Sequence, residues 1–236
     1  MPRLKCGAGV IKKMNTEASN QRSSAVPLIA TGLVAYWLAV VVALHFLEPE
    51  FDPIRVPISV YVLGTYGVWM TTSFFVAAAI YFLLAFGLAR ELPSNVWTKA
   101  GIVLLCVGAC GQVVAGFYPT QWPLTPPLTQ QTVIHLIGAL VGFNAITIGG
   151  ISLSVSFRRT VRWSRVSTAV LIVSLLRLAM LNDRWLWPMG QGTDGLKERV
   201  IIVLMLVGFA LVVGPWIRWG QPQRPPSGAR TSAGAA

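Results

Sequence analysis

The stretch Thr132-Val-Ile-His-Leu-Ile-Gly-Ala-Leu-Val-Gly-Phe-Asn-Ala-Ile-Thr-Ile-Gly-Gly-Ile-Ser-Leu-Ser-Val-Ser-Phe157 carries no Asp, Glu, Lys or Arg from end to end. As a helix it covers about 39 Å at 1.5 Å per residue, more than the roughly 30 Å hydrocarbon core of a bilayer. Similar apolar runs lie on either side of it, at residues 27–47, 66–89, 100–118, 166–181 and 200–219. The pattern predicts an all-α integral membrane protein, a bundle of six transmembrane helices. The fifth run is the weakest, being short and interrupted by Arg177. Composition agrees: the 236 residues are 54% hydrophobic and 11% charged, where a soluble domain is about a quarter charged. A separate soluble catalytic domain is excluded.

A net charge of +11 suggests nucleic acid only if the basic residues form one patch. Here they sit in short segments between apolar runs, the distribution of positive-inside topology, so no nucleic-acid partner is expected. Fourteen lysines and arginines fall in the N-terminal segment, the second and fourth loops and the tail, against four in the other loops. Both termini are therefore predicted to be cytoplasmic, in a multi-pass protein of the inner (plasma) membrane. Most acidic residues, Glu48, Glu50, Asp52, Asp183, Asp194 and Glu198, fall on the opposite, outer face. Residues 1–26 read as a basic cytoplasmic segment, with Met14 an alternative start. Residues 27–219 read as the transmembrane domain. Residues 220–236, rich in Pro, Gly, Ser and Ala, read as a disordered cytoplasmic tail. The first run is too long for a signal-peptide core and lacks a small-residue cleavage site, so it is expected to remain as a span. Cys106 and Cys110, one helical turn apart, do not form a disulfide framework with Cys6.

Polar side chains inside spans are costly and normally face the bundle interior or a cavity, so their depth is informative. His45 lies near the outer end of the first run, Thr71, Thr72 and Ser73 in the outer third of the second, Gln112 towards the outer end of the third, and His135 near the start of the fourth. Arg177 falls in the outer half of the fifth. At 100° per residue His135 shares a face with Gly138, Gly142, Ala145 and Gly149, and Gln112 with Gly101, Gly108, Gly111 and Ala115; small residues in such stripes let helices approach closely. Ser167, Ser174 and Arg177 share a face that Arg184 would extend. Singly, such residues are most often packing or snorkelling groups. Five helices converging on one depth predict a polar pocket open to the outer face. Arg177 must find an oxygen partner in low dielectric, and Glu198 and Asp52 are the expected ones.

Between the first two runs, Glu48 to Tyr61 has prolines at 49, 53 and 57 and mixes apolar with charged residues, as expected of a lid on the membrane surface. His45, Asp52-Pro53, Pro57-Ile58-Ser59, Tyr61, Gly64 and Tyr66-Gly67 stand there in order. Tyr118-Pro119-Thr120, His135 with Gly138-Ala139, Gly195-Leu196 and Glu198-Arg199 follow. This ordered set, covering residues 27–219, resembles the bacterial six-span membrane proteins grouped as the domain-of-unknown-function 998 family. The family often has an aspartate after Phe-Pro-Thr, where this chain has Gln121. The resemblance implies architecture and an important outer face, and no reaction.

The candidate pocket is His45, Asp52, Arg55, Ser59, Gln112, His135, Arg177, Glu198 and Arg199, with a lipid head group or small amphiphile as the expected ligand beside the surrounding bilayer. Arg177 would attract an anionic group, and His135 and Gln112 would hydrogen-bond it. One alternative is a membrane-embedded lipid hydrolase or transferase, with His45, His135 and Asp52 as metal ligands or Ser59 or Ser73 as nucleophile. Two histidines are few for a catalytic zinc site, so no metal is expected. A single haem between His45 and His135, transport, or a purely structural role are the others. No cofactor is expected.

Overall fold

The computed structural model describes residues 7–182 and 192–220, with side chains over 25–182 and 192–218. Among the described residues there is no strand. The helices are α1 (Gly7–Leu47), a 3-10 helix (Ile58–Leu63), α2 (Gly67–Glu91), α3 (Val96–Phe117), α4 (Gln130–Phe157), a single turn α5 (Val161–Ser164), α6 (Ser167–Asn182) and α7 (Asp194–Gly220). Five segments, Ala25–Leu47 of α1, α2, α3, α4 and Asp194–Arg218 of α7, are long and apolar enough to cross a membrane, and α6 is a shorter apolar helix. The chain is a helical bundle of the integral membrane type.

Helix α1 continues N-terminally through the basic segment to Gly7, with Pro27 inside it. Residues 10–26 contain neither Gly nor Pro, so nothing in the local sequence stops the helix before the apolar run. Asn95 caps α3 by accepting from the Thr98 N–H at 3.0 Å, and Thr129 caps α4 by accepting from the Thr132 N–H at 3.2 Å.

The α3–α4 pair is the most extensive in the bundle, and its seam consists of the two predicted small-residue stripes. Gly101, Gly108, Gly111, Gln112 and Ala115 on α3 and His135, Gly138, Gly142, Ala145 and Gly149 on α4 are all buried. A Cβ at Gly111 would run into the backbone of Gly138 and Gly142, so the approach depends on glycine there.

One end of the bundle, the cap end, collects the C-termini of α1 and α3, the N-termini of α2, α4 and α7, and the 3-10 helix. The far end is tied by α5. Arg162 Nη1 meets Glu91 Oε2 at 2.7 Å, and Trp163 stacks on Phe157 and donates Nε1–H to the Val212 carbonyl at 2.8 Å. Thr98 and Ser156 share a hydrogen bond of 2.6 Å.

Helix α6 does not rise to the cap end. A Cβ on Gly150 of α4 would meet the Ser174 hydroxyl, and Asn182, the last residue of α6, donates Nδ2–H to Asn144 Oδ1 at 2.9 Å. Asn144 is fourteen residues beyond Gln130, about 21 Å along α4. The end of α6 is therefore level with the middle of its neighbour. The face carrying Ser167, Val170, Ser174 and Arg177 is buried, as its phase predicts.

Candidate site: a clamped cap over an apolar cleft

The segment between α1 and α2 is fixed to the start of α7. Leu196 N–H donates to the Ile54 carbonyl at 2.9 Å and Gly195 N–H to the Arg55 carbonyl at 3.3 Å. A side chain at Gly195 would collide with the carbonyls of Val56 and Pro53. Glu198 accepts the N–H of Ile58 through Oε2 and a second backbone N–H from Ser59, so its carboxylate caps the 3-10 helix. Arg199 works beside it. Its Nη1 donates to the carbonyls of Val56 (3.0 Å) and Gly195 (2.9 Å), its Nε to His45 Nε2 (3.1 Å), and its Nη2 reaches His45 Nε2 (2.9 Å) and the Tyr61 hydroxyl (3.3 Å).

Because Arg199 can only donate, His45 Nε2 must be the acceptor. The imidazole proton then sits on Nδ1 and is donated to the Val41 carbonyl at 2.6 Å. Tyr61 lies between the His45 and Phe51 rings and is buried. Burial pushes its phenol above the ordinary tyrosine range, against the opposing effect of Arg199. Asp52 and Arg55 sit outside this network, on the surface. Asp52 Oδ1 accepts the Ile54 N–H at 2.8 Å, and its Oδ2 is 3.5 Å from Arg55 Nε, with about half or more of each side chain exposed. They shape the lid turn and do not enter the interior.

Beneath the cap a cleft runs between α7 and the α2–α3–α4 side of the bundle. Its cavity volume is about 70 Å³, partly open to the surroundings, and its walls are almost wholly apolar, including Trp37, Met70, Phe74, Phe143, Leu206 and Phe209. From Glu198 and Ile58 at its cap end to Phe209 at its lower end it spans eleven residues of α7, about 16 Å. Polar groups reach it from Glu198 at the top and from Gln112 and Tyr81 below.

The predicted site residues thus separate. His45, Ser59, Glu198 and Arg199 meet in the cap. His135 lies elsewhere: its Nδ1 donates to the carbonyls of Tyr118 (2.7 Å) and Ala115 (3.1 Å), closing the end of α3, with Phe74 edge-on at 5.7 Å. Gln112 is in the cleft wall, buried, with Nε2 lacking a hydrogen-bond partner.

Arg177 departs most from expectation. The short, offset α6 carries it well below the cap, within electrostatic reach of Tyr81. A Cβ on Gly208 of α7 would be 3.8 Å from Val173, one turn before Arg177, so the guanidinium is level with the lower half of the cleft. It is 5% exposed, and its Nε and Nη2 have no hydrogen-bond partner among the described residues. The expected ion pairs with Glu198 or Asp52 do not form: Glu198 is held by the 3-10 helix and Asp52 by Arg55. The convergence of five helices on one depth does not extend to α6. Arg184, expected to continue its face, lies outside the described residues, as do Asp183 and the tail after residue 220.

Glu48 was not among the predicted site residues. It is 1% exposed, accepts the Tyr66 N–H through Oε1 at 2.5 Å, and lies against Gly64. The signal was present: Glu48 follows His45 by three residues, one turn along the same helix face. The described residues hold no group of three His, Cys, Asp or Glu side chains arranged for a metal ion, and both ring nitrogens of His45 are engaged. The metal-dependent hydrolase reading gains no support from this geometry, nor does a nucleophile at Ser73, whose hydroxyl is donated to the Trp69 carbonyl within its own helix.

Neither the curated proteins nor the solved structures offer a match to this chain. A family model does, over residues 30–215, and its description reads "Protein of unknown function (DUF998)". The matched region contains the whole cap, the cleft and the α3–α4 seam, and the residues on which the resemblance rested are largely those that build the cap. With most of its length matched, the chain belongs to the DUF998 family of proteins of unknown function.

Proposed function

We propose that this protein is a six-span membrane protein with both termini cytoplasmic, holding a lipid or small amphiphile in the cleft beneath a cap on the outer face of the plasma membrane. The observation that carries the reading is the cleft itself: about 16 Å long, apolar along its walls, with polar groups at its cap end and lower part and a lid pinned above it. Such a shape suits a hydrocarbon chain better than a water-soluble metabolite. The six-span count is supported by the positions of two helix starts: α6 begins at the far end beside α5, and α7 begins at the cap. The orientation rests on Arg90, Lys99, Arg158, Arg159, Arg162 and Arg165, all in far-end segments.

Two experiments test this. Reporter fusions at Ser94 and Gln223 are expected to behave as cytoplasmic and fusions at Pro126 and Gly192 as external; an external signal at Ser94 overturns the topology. Native mass spectrometry of protein purified in mild detergent is expected to show a retained lipid or amphiphile that Ala77→Trp, which fills the cleft, displaces without loss of helicity. Equal retention by both proteins removes the cleft as the binding site.

A further inference from the structure

We infer that the cleft takes a single-chain anionic amphiphile of the fatty-carboxylate type, seated with its acid group down at Arg177 and Tyr81 and its hydrocarbon chain running up towards the cap. This rests on the cleft reading above and adds the chemical class and the polarity of binding.

The hydrogen-bonding groups at the two ends of the cleft decide the direction. At the cap end stands Glu198, whose carboxyl group is taken up by the Ile58 N–H and offers an anionic head group no donor. The cation next to it, Arg199, has every nitrogen engaged with His45, Val56, Gly195 and Tyr61 and has no donor to offer. Lower down the balance reverses. Arg177 and Gln112 are 5% and 4% exposed, and their free groups, Nε and Nη2 of the arginine and Nε2 of the glutamine, are donors without partners among the described residues.

Donors alone demand an acceptor. An arginine keeps its proton at every relevant pH, and a guanidinium in a low-dielectric interior without an anion carries a desolvation cost that a carboxylate offsets. Neither Glu198 nor Asp52 supplies that anion. Arg177 is not itself a lining residue: it stands behind the wall, on the buried face of α6, which packs against α4 and α7, and Tyr81 is the lining residue within its electrostatic reach. Gln112 stands higher on the wall. Gly111 of α3 lies against Gly142 of α4, whereas Arg177 is level with α4 residues between Asn144 and Gly150. Its amide therefore accompanies the upper part of a bound molecule and does not share the acid group.

The test uses full-length protein freed of endogenous lipid by detergent exchange, with hexadecanoate and hexadecanol as probes, read by native mass spectrometry and by ligand-induced thermal shift. Wild-type protein is expected to bind hexadecanoate about tenfold or more tightly than hexadecanol, the margin of one charge-assisted hydrogen-bonded pair. Arg177→Gln is expected to bring the two within about twofold while hexadecanol binding persists, and Arg177→Lys to retain part of the preference, which keeps the test valid if the glutamine variant fails to fold. Hexadecyl phosphate, matched in chain length, separates a carboxylate site from a general anion site: binding as tight as hexadecanoate overturns the carboxylate assignment. A wild-type protein without preference, as an arginine already paired within the chain would give, overturns the inference, as does a preference that survives in Arg177→Gln. If Ala77→Trp blocks both probes while no preference exists, the cleft reading stands and only the acid-down seating falls. If Ala77→Trp blocks neither, the cleft reading itself falls.

Discussion

Two arginines, Arg199 in the cap and Arg177 in the lower half of the bundle, show how differently one residue type is used in this molecule. Arg199 joins four elements: the end of α1 through His45, the lid through Val56, the 3-10 helix through Tyr61, and its own helix through Gly195. Arg177 is at least as deeply buried and has two unpartnered nitrogens among the described residues. A cation whose donors are all taken acts as a structural clamp, whereas a buried cation with free donors is available to something else. Burial alone does not distinguish them; the partner list does.

Substituting each residue in turn tests that contrast. Arg199→Gln has the largest expected effect, a loss of about 3 kcal/mol or more of stability, because it leaves buried carbonyls and His45 Nε2 without their charged donor. Thermal or denaturant unfolding in detergent measures it, and a wild-type midpoint would mean that the lid is held by other contacts. Glu198→Gln is expected to cost less, about 1 to 2 kcal/mol, since the amide oxygen still accepts from Ile58 but without charge. Combined with Arg199→Gln it should be less than additive, because both residues hold the same segment.

Arg177→Gln is expected to change stability by under about 1 kcal/mol in lipid-free protein, since it removes a buried charge that has no ion pair among the described residues. A loss as large as that of Arg199→Gln would erase the distinction between the two sites. The smallest effect concerns Tyr61. Its pKa is raised above the ordinary 10.0 by burial, so the folded protein holds a proton that the unfolded chain releases. The resulting stability is present below pH 10 and is lost as pH rises through the higher folded value. Tyr61→Phe should flatten that alkaline decline in melting temperature, and an unchanged decline would assign it to another group.

The seam between α3 and α4 was legible in the sequence because it follows from helical phase: every residue of the two predicted stripes is buried. The cap was legible as a set of residues, but their grouping was not. Spacing along the chain carries no sign that Ile58 meets Glu198 or that His45 meets Arg199, across 140 and 154 residues. The depth of Arg177 was not legible, for a definable reason. Position within a run gives depth only if the helix spans the same thickness as its neighbours, and α6, with 16 residues, about 24 Å, ends level with Asn144.

The sequence by itself determined the helical class, the apolar runs and the buried faces of α3, α4 and α6, because partition into lipid and helical period are local properties summed over one segment. Only the tertiary structure decided the vertical offset of α6, the choice of Ile58 and Ser59 over Arg177 as partners of Glu198, and the cleft between α7 and α2. Each of these depends on how separately formed helices slide and dock against one another, where a shift of one turn exchanges every partner while leaving the pattern of each helix unchanged.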